Sequence, residues 1–225
     1  MTRSPRHSLA GQPHHVIQRG NNREAMFKDD DDFRFFIESL RSATLRFDCQ
    51  VHAYVLMTNH IHLLMTPIDD KAIGIAMRSL GRRHVGYFNR KHGRTGTLYE
   101  SRYRATIVDT EKYLFTCYRY IEENPVRAGL VSEPSTYRWS SYRANALGAE
   151  DSLLTPHELF VALGSTPEDR QSAYRALFRS EIDAGALTSI RFATNSGEHL
   201  GGTHFRPVNN GMSRRRLIPP ASLEL

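Results

Sequence analysis

The stretch CQVHAYVLMTNHIHLLMT, Cys49 to Thr66, reads as two apolar strands joined by the two-residue link Thr58-Asn59. Runs rich in Val, Tyr, Ile and Leu with so short a connection predict a tight β-hairpin. Its second arm opens with two histidines one residue apart, where a half-buried strand would alternate apolar residues with ones that are cheap to expose. Residues two apart on a strand project from the same face, so His60 and His62 point together while Ile61 and Leu63 point the other way.

Upstream of the hairpin, PHHVIQRG (Pro13 to Gly20) reads as a strand ending in the turn-like GNNR. An amphipathic helix follows: Asp29 to Asp32 suit the positive end of a helix dipole, and Phe33, Phe36, Ile37, Leu40, Thr44 and Phe47 recur at helical spacing. Downstream, Ile73, Met77, Leu80, His84, Tyr87 and Phe88 mark a second helix, and SRYRATIVD supplies a fourth strand. The order β-α-β-β-α-β predicts an α+β, ferredoxin-like fold, a four-stranded antiparallel sheet with two helices on one face. A further helix, TEKYLFTCYRYIEEN, is expected to stop at Pro125, completing a main domain over residues 10–147. A small helical appendage is expected over 152–183, with Ser165 and Glu168 as a capping box in STPEDRQSAYRALFRSEI. From 185 to 225 periodicity fades, Gly and Pro accumulate, and an irregular or disordered basic tail carrying Arg214, Arg215 and Arg216 is expected.

Composition narrows the function classes. The 225 residues are 40% hydrophobic and 24% charged, the ordinary range for a folded domain, with no apolar run near the roughly 20 residues of a membrane span. The N-terminal stretch has no apolar signal core, and a cytoplasmic protein without a membrane partner is expected. Two cysteines without a C-x-x-C pair exclude a disulfide framework and a thiolate zinc site. Net charge is +6, and nine basic residues against the single acid Glu100 between Lys71 and Val108 give that segment +8. Such an excess suits either a solvated face or a polyanion, whose counterions are released on binding; Arg78, Arg82, Arg83, Arg102 and Arg104 are the candidate phosphate contacts.

Paired imidazoles on one strand face make a two-point claw for a transition metal, the alternative being two solvated surface histidines. Further ligands are available on the helix before Pro125, where Tyr113, Cys117, Tyr120 and Asn124 share one face. Tyr118 lies two residues from Tyr120, about 200° around the helix, so at most one of them faces the hairpin.

Together, NHIHLL, YIEENPVRAGLV and WSSY resemble the single-tyrosine HUH transposases, specifically the REP-associated tyrosine transposases of bacteria, over about residues 10 to 145. The resemblance implies a divalent ion, Mg²⁺ or Mn²⁺, held by His60 and His62, with Asn124 completing its shell and Tyr120 as the nucleophile. It further implies a transposase that cleaves and rejoins single-stranded DNA near the imperfect hairpins of repetitive extragenic palindromes, through a 5′-phosphotyrosine and without ATP. Arg19, Asn21, Asn22 and Arg23 in RGNNRE match a family segment expected to contact DNA or support the fold, as does Trp139 to Tyr142. Monomers are expected rather than homodimers. Two departures stand out: Thr58 replaces a proline common before the histidines, and the chain's end lacks the helical basic finish of close relatives. A catalytically silent hairpin-binding protein and an HUH replication initiator are the alternatives.

Overall fold

The structure, a computed structural model, describes residues 8–109, 111–196 and 200. Strands β1 (His14–Arg19), β2 (Cys49–Met57), β3 (His60–Pro67) and β4 (Arg104–Ile107) form an antiparallel sheet in the order β2-β3-β1-β4. Helices α1 (Asp30–Arg46) and α2 (Ala72–Lys91) make the two crossovers, so the ferredoxin-like α+β fold expected from the sequence is the one observed. Met57 pairs with His60, leaving Thr58 and Asn59 as the hairpin turn. The Thr58 carbonyl accepts from the backbone N–H groups of Met26 and Phe27, so the turn is held without a proline. Asp29 caps α1 by accepting from the N–H groups of Asp31 and Asp32.

Each face of the sheet carries its own core. On one, Ile61, Leu63 and Met65 of β3 and Val16 of β1 pack against Phe33, Phe36 and Leu40 of α1 and Ile73, Met77 and Leu80 of α2. Each such buried side chain contributes roughly 1.5–3 kcal/mol. On the other, Ala53, Val55 and Leu64 pack against α3 (Glu111–Glu122) through Leu114, Cys117 and Ile121. This second core continues into the C-terminal segments, with Phe160 of α6 (Glu158–Val161), Tyr174 of α7 (Pro167–Ala176) and Ile190 and Ala193 of α8 (Ala184–Ser196).

The structure corrects several expectations. The stretch 152–183 is not an appendage to a finished domain, since Phe160, Tyr174 and Ile182 belong to the core that covers the second sheet face. The capping box uses Thr166 and Asp169, because Pro167 occupies the first turn of α7 and moves the cap one residue on from Ser165. Pro125 does not halt the helical path; α3 ends at Glu122, and Pro125 sits in the first turn of the short helix α4 (Asn124–Arg127), where a missing N–H costs nothing. The expected irregular tail begins with a helix, α8, whose buried side is built from Ile190 and the small residues Ala193 and Thr194 and so leaves little periodic signal. The rest of that tail, residues 197–199 and 201–225 with Arg214 to Arg216, lies outside the described residues. Among the described residues, no helix is long and apolar enough to cross a membrane.

One buried carboxylate ties the end of α3 to the segments that cover it. Glu122 is fully buried and accepts from Ser141 Oγ (2.6 Å), Asn145 Nδ2 (2.8 Å) and Tyr174 Oη (2.6 Å). Ser141 precedes α5 (Tyr142–Leu147) and also accepts from the Tyr54 N–H of β2, so α3, α5, α7 and the sheet meet at one point. The WSSY segment therefore supports the fold: Trp139 stacks on Phe33 at 4.6 Å and its carbonyl accepts from the Leu56 N–H. Burial pushes the Glu122 carboxyl up to about 7, against the pull of its three donors. A carboxyl raised above its unfolded value of 4.5 contributes stability below that value, and the contribution is lost as pH rises through 7. Glu122→Gln, always neutral, is accordingly expected to gain on the order of 3 kcal/mol relative to the native chain between pH 4.5 and 8. Urea unfolding of both proteins across that range measures the difference, and parallel curves would show that the carboxyl titrates alike in both states.

Candidate active site

Antiparallel pairing sets the side chains that face α3. Arg19 lies opposite His60, Ile17 opposite His62 and His15 opposite Leu64, so one sheet face carries His15, Ile17 and Arg19 beside His60 and His62. A cleft of about 370 Å³ opens there, lined by Ile17, Arg19, His60, His62, Tyr120, Asn124, Arg127, Ala128, Arg191 and Thr194. The structure thus brings together five residues singled out in the sequence, Arg19, His60, His62, Tyr120 and Asn124. Tyr120 is 9% exposed, and its ring stands edge-on to His62 at 5.6 Å. Tyr118 points away, wholly buried against Phe160 and Tyr174 in the second core, where burial raises its phenol far above the ordinary value.

Hydrogen bonds orient both imidazoles. Asn59 Nδ2 donates to the Arg23 carbonyl, which turns Asn59 Oδ1 towards His60 Nδ1 at 2.7 Å. An amide oxygen can only accept, so His60 carries its proton on Nδ1 and keeps the Nε2 lone pair. Asn124 also hydrogen-bonds His60. His62 Nδ1 lies 2.8 Å from His15 Nε2, and His15 Nδ1 lies 3.4 Å from Thr194 Oγ1. A proton on Nδ1 of each ring satisfies that chain in one direction and frees His62 Nε2 as well. Burial lowers His60 to about 4, His15 to about 3 and His62 well below its ordinary value, so all three rings are neutral at pH 7. Two neutral imidazole nitrogens and an amide oxygen form a donor set that fits a divalent ion with open positions for substrate.

A second group of potential ligand atoms, on Asp29, Asp32 and His92, lies at the ends of α1 and α2 within 4.8 Å of one another. Lys91 Nζ sits 2.6 Å from Asp29 and 3.1 Å from Asp32, and His92 Nε2 2.9 Å from Asp32, so these groups already partner one another.

The basic residues divide by sheet face. Arg19 lines the cleft, and Arg104 pairs with Ile17 in β4 and so lies on the cleft's side. Asn21, Asn22 and Arg23 form a 3-10 turn after Arg19, and the Arg23 carbonyl ties it to the hairpin turn. Arg102 is exposed just before β4. Arg78, Arg82 and Arg83 are exposed on α2, whose buried side packs on the opposite sheet face, so they do not reach the cleft. Sequence reasoning missed His15, Arg127, Arg191 and Thr194. The alternation of β1 carries a signal for His15, but its use requires the register with β3; Arg191 and Thr194 arrive on α8, which the sequence hides.

Comparison with known proteins agrees with this fold. The family model for IS200-like transposases matches residues 10–124. Among solved structures, a REP-associated tyrosine transposase bound to a REP hairpin superposes with a TM-score of 0.54 at 17% identity, over 70% of this chain and 93% of that one, a likeness of fold. A candidate transposase of Deinococcus radiodurans R1 matches at 19% identity with a TM-score of 0.37, over 54% of this chain and 96% of that one. No curated protein matches the chain. With the family match spanning half of its length, the chain belongs to the IS200-like transposases.

Proposed function

We propose that the protein is a metal-dependent single-stranded DNA endonuclease and transposase that cuts and rejoins DNA beside hairpins through Tyr120. The observation that carries this reading is the convergence of His60, His62, Asn124 and Tyr120 on one cleft whose lining, among the described residues, includes three arginines and no carboxylate. An acid-free, arginine-lined cleft favours an anionic occupant. The hairpin substrate is suggested by the solved relative that carries a REP hairpin.

The chemistry derives from the residues in place. A phenol with a reference pKa of about 10 is a weak nucleophile at neutral pH, so alignment and charge stabilisation must supply the rate. A divalent ion, when bound by His60, His62 and Asn124, supplies Lewis-acid polarisation of a non-bridging phosphate oxygen. The second core holds α3 so that Tyr120 faces the imidazoles across the cleft. Its phenolic oxygen bonds to phosphorus and its proton passes to water, while the bond to the 3′ oxygen breaks and that oxygen takes a proton from water to leave a 3′-hydroxyl. The 5′-phosphotyrosine keeps the energy of the broken phosphoester, so a second 3′-hydroxyl reverses the step without a nucleotide cofactor. Arg19 and Arg104 flank the cleft as contacts for backbone phosphates, together with Asn21, Asn22, Arg23 and Arg102 in the adjoining loops.

Incubation with end-labelled single-stranded hairpin oligonucleotides in Mg²⁺ or Mn²⁺ tests this on a denaturing protein gel. A DNA-linked band is expected from the native chain and from Tyr118→Phe, and none from Tyr120→Phe. A band lost from Tyr118→Phe instead, or absent with every hairpin the protein binds, overturns the assignment. Chelation is expected to abolish the band and added Mn²⁺ to restore it, and His62→Ala to lower its rate of formation at least about 100-fold. Chelator-resistant adduct formation would remove the metal from the mechanism.

A further inference from the structure

Arg127 is the least explained charge in the cleft. It ends α4, and its guanidinium carbon lies 4.4 Å from the centre of the Tyr120 ring. Two contacts hold it there: Nη2 donates to the Tyr120 backbone carbonyl, and the Glu123 carboxylate lies 3.7 Å from Nη1. The Glu123 contact is too long for a hydrogen bond, and among the described residues Nη1 is buried with no hydrogen-bond partner. An unmade hydrogen bond from a buried charged donor is costly, and proteins satisfy nearly all such groups. Arg191 lies near enough for the two guanidiniums to repel each other, and both line the cleft. Like charges held together at one cleft wall, one of them against the Tyr120 ring, describe a place for a negative group that arrives with the substrate.

We infer that Arg127 is a catalytic residue, whose guanidinium stabilises the negative charge that develops on the scissile phosphate and on Tyr120 Oη during cleavage and rejoining. The inference rests on the proposed Tyr120 chemistry and adds a protein-borne cation to it. As the Tyr120 oxygen approaches phosphorus and the 3′ oxygen departs, charge spreads over the non-bridging oxygens and the two in-line oxygens. A guanidinium already fixed against the ring meets that charge without having to reorganise. Its fork can bind two oxygens at once, which an ammonium cannot. The three-residue spacing from Asn124, across one turn of α4, couples the position of this cation to that of the metal-shell amide.

The test is single-turnover adduct formation on a bound hairpin oligonucleotide by the full chain and by Arg127→Gln, Arg127→Lys and Arg127→Ala, with hairpin affinity and thermal midpoint measured on each. Arg127→Gln is expected to lose about 100-fold or more in rate, the cost of removing one preorganised donor to a developing oxyanion, with hairpin affinity changed less than about threefold. Arg127→Lys is expected to fall between the two. Added guanidinium or methylguanidinium is expected to restore Arg127→Ala about tenfold, a rescue that a purely structural role would not show. Should Arg127→Ala fail to fold, Arg127→Lys decides alone: native rate in a folded protein overturns the inference. So does an Arg127→Gln rate within threefold of native, or a rate loss matched by an equal loss of hairpin affinity. If the native chain itself forms no adduct, the Tyr120 reading fails first; a native adduct with indifferent Arg127 variants sinks this inference alone.

Discussion

The register of β1 against β3 is the constraint on which the site depends. With Ile17 opposite His62 and Arg19 opposite His60, one sheet face collects the imidazoles, the cleft arginine and His15. A slip of one residue in either strand would send its polar set into the core under α1 and α2. The register is held from that other side: Val16, Ile61, Leu63 and Met65 are fully buried against the two crossover helices, and moving them to the cleft would forfeit their burial. Apolar packing on one face thus places polar chemistry on the other.

A different kind of interaction places α3. Aliphatic packing of Leu114, Cys117 and Ile121 on Ala53, Val55 and Leu64 fixes which side of the helix meets the sheet, and so separates Tyr118 from Tyr120. Packing of this kind tolerates sliding along the helix axis, whereas Glu122 does not. Its carboxylate is met from three directions by Ser141, Asn145 and Tyr174, and the geometry of those bonds defines one axial position. A buried carboxylate is a poor source of stability, because desolvation offsets most of the gain from its donors. Its return lies in specificity of position, one turn or less from Tyr120.

What could be read from the sequence was whatever depends on local period. The hairpin, the H-x-H pair and the amphipathic faces of α1 and α2 repeat at two or at 3.6 residues and were visible for that reason. Helical geometry separated Tyr118 from Tyr120 and put Tyr120 on the face of Asn124, and the resemblance to the HUH transposases selected Tyr120. His15 escaped because its role exists only across the β1–β3 pair, 47 residues away in sequence from His62. Charge density marked the arginines of α2 but carries no information on which sheet face a helix covers, and Arg78, Arg82 and Arg83 turned out on the side away from the cleft. The helix α8 was invisible because Ala, Gly, Thr and Ser dominate it and small side chains generate a weak apolar contrast.

The family match ends at Asn124, yet one wall of the cleft is built from Arg127, Ala128, Arg191 and Thr194. The helix α8, outside the matched residues, thus brings Arg191 and Thr194 into the same cleft as the hairpin histidines and Tyr120. A substitution on α8 can therefore change the cleft wall while His60, His62 and Tyr120 keep their positions on β3 and α3. For engineering, the same division means that recombining the C-terminal third between relatives explores new targets while the reacting groups stay in their original scaffold.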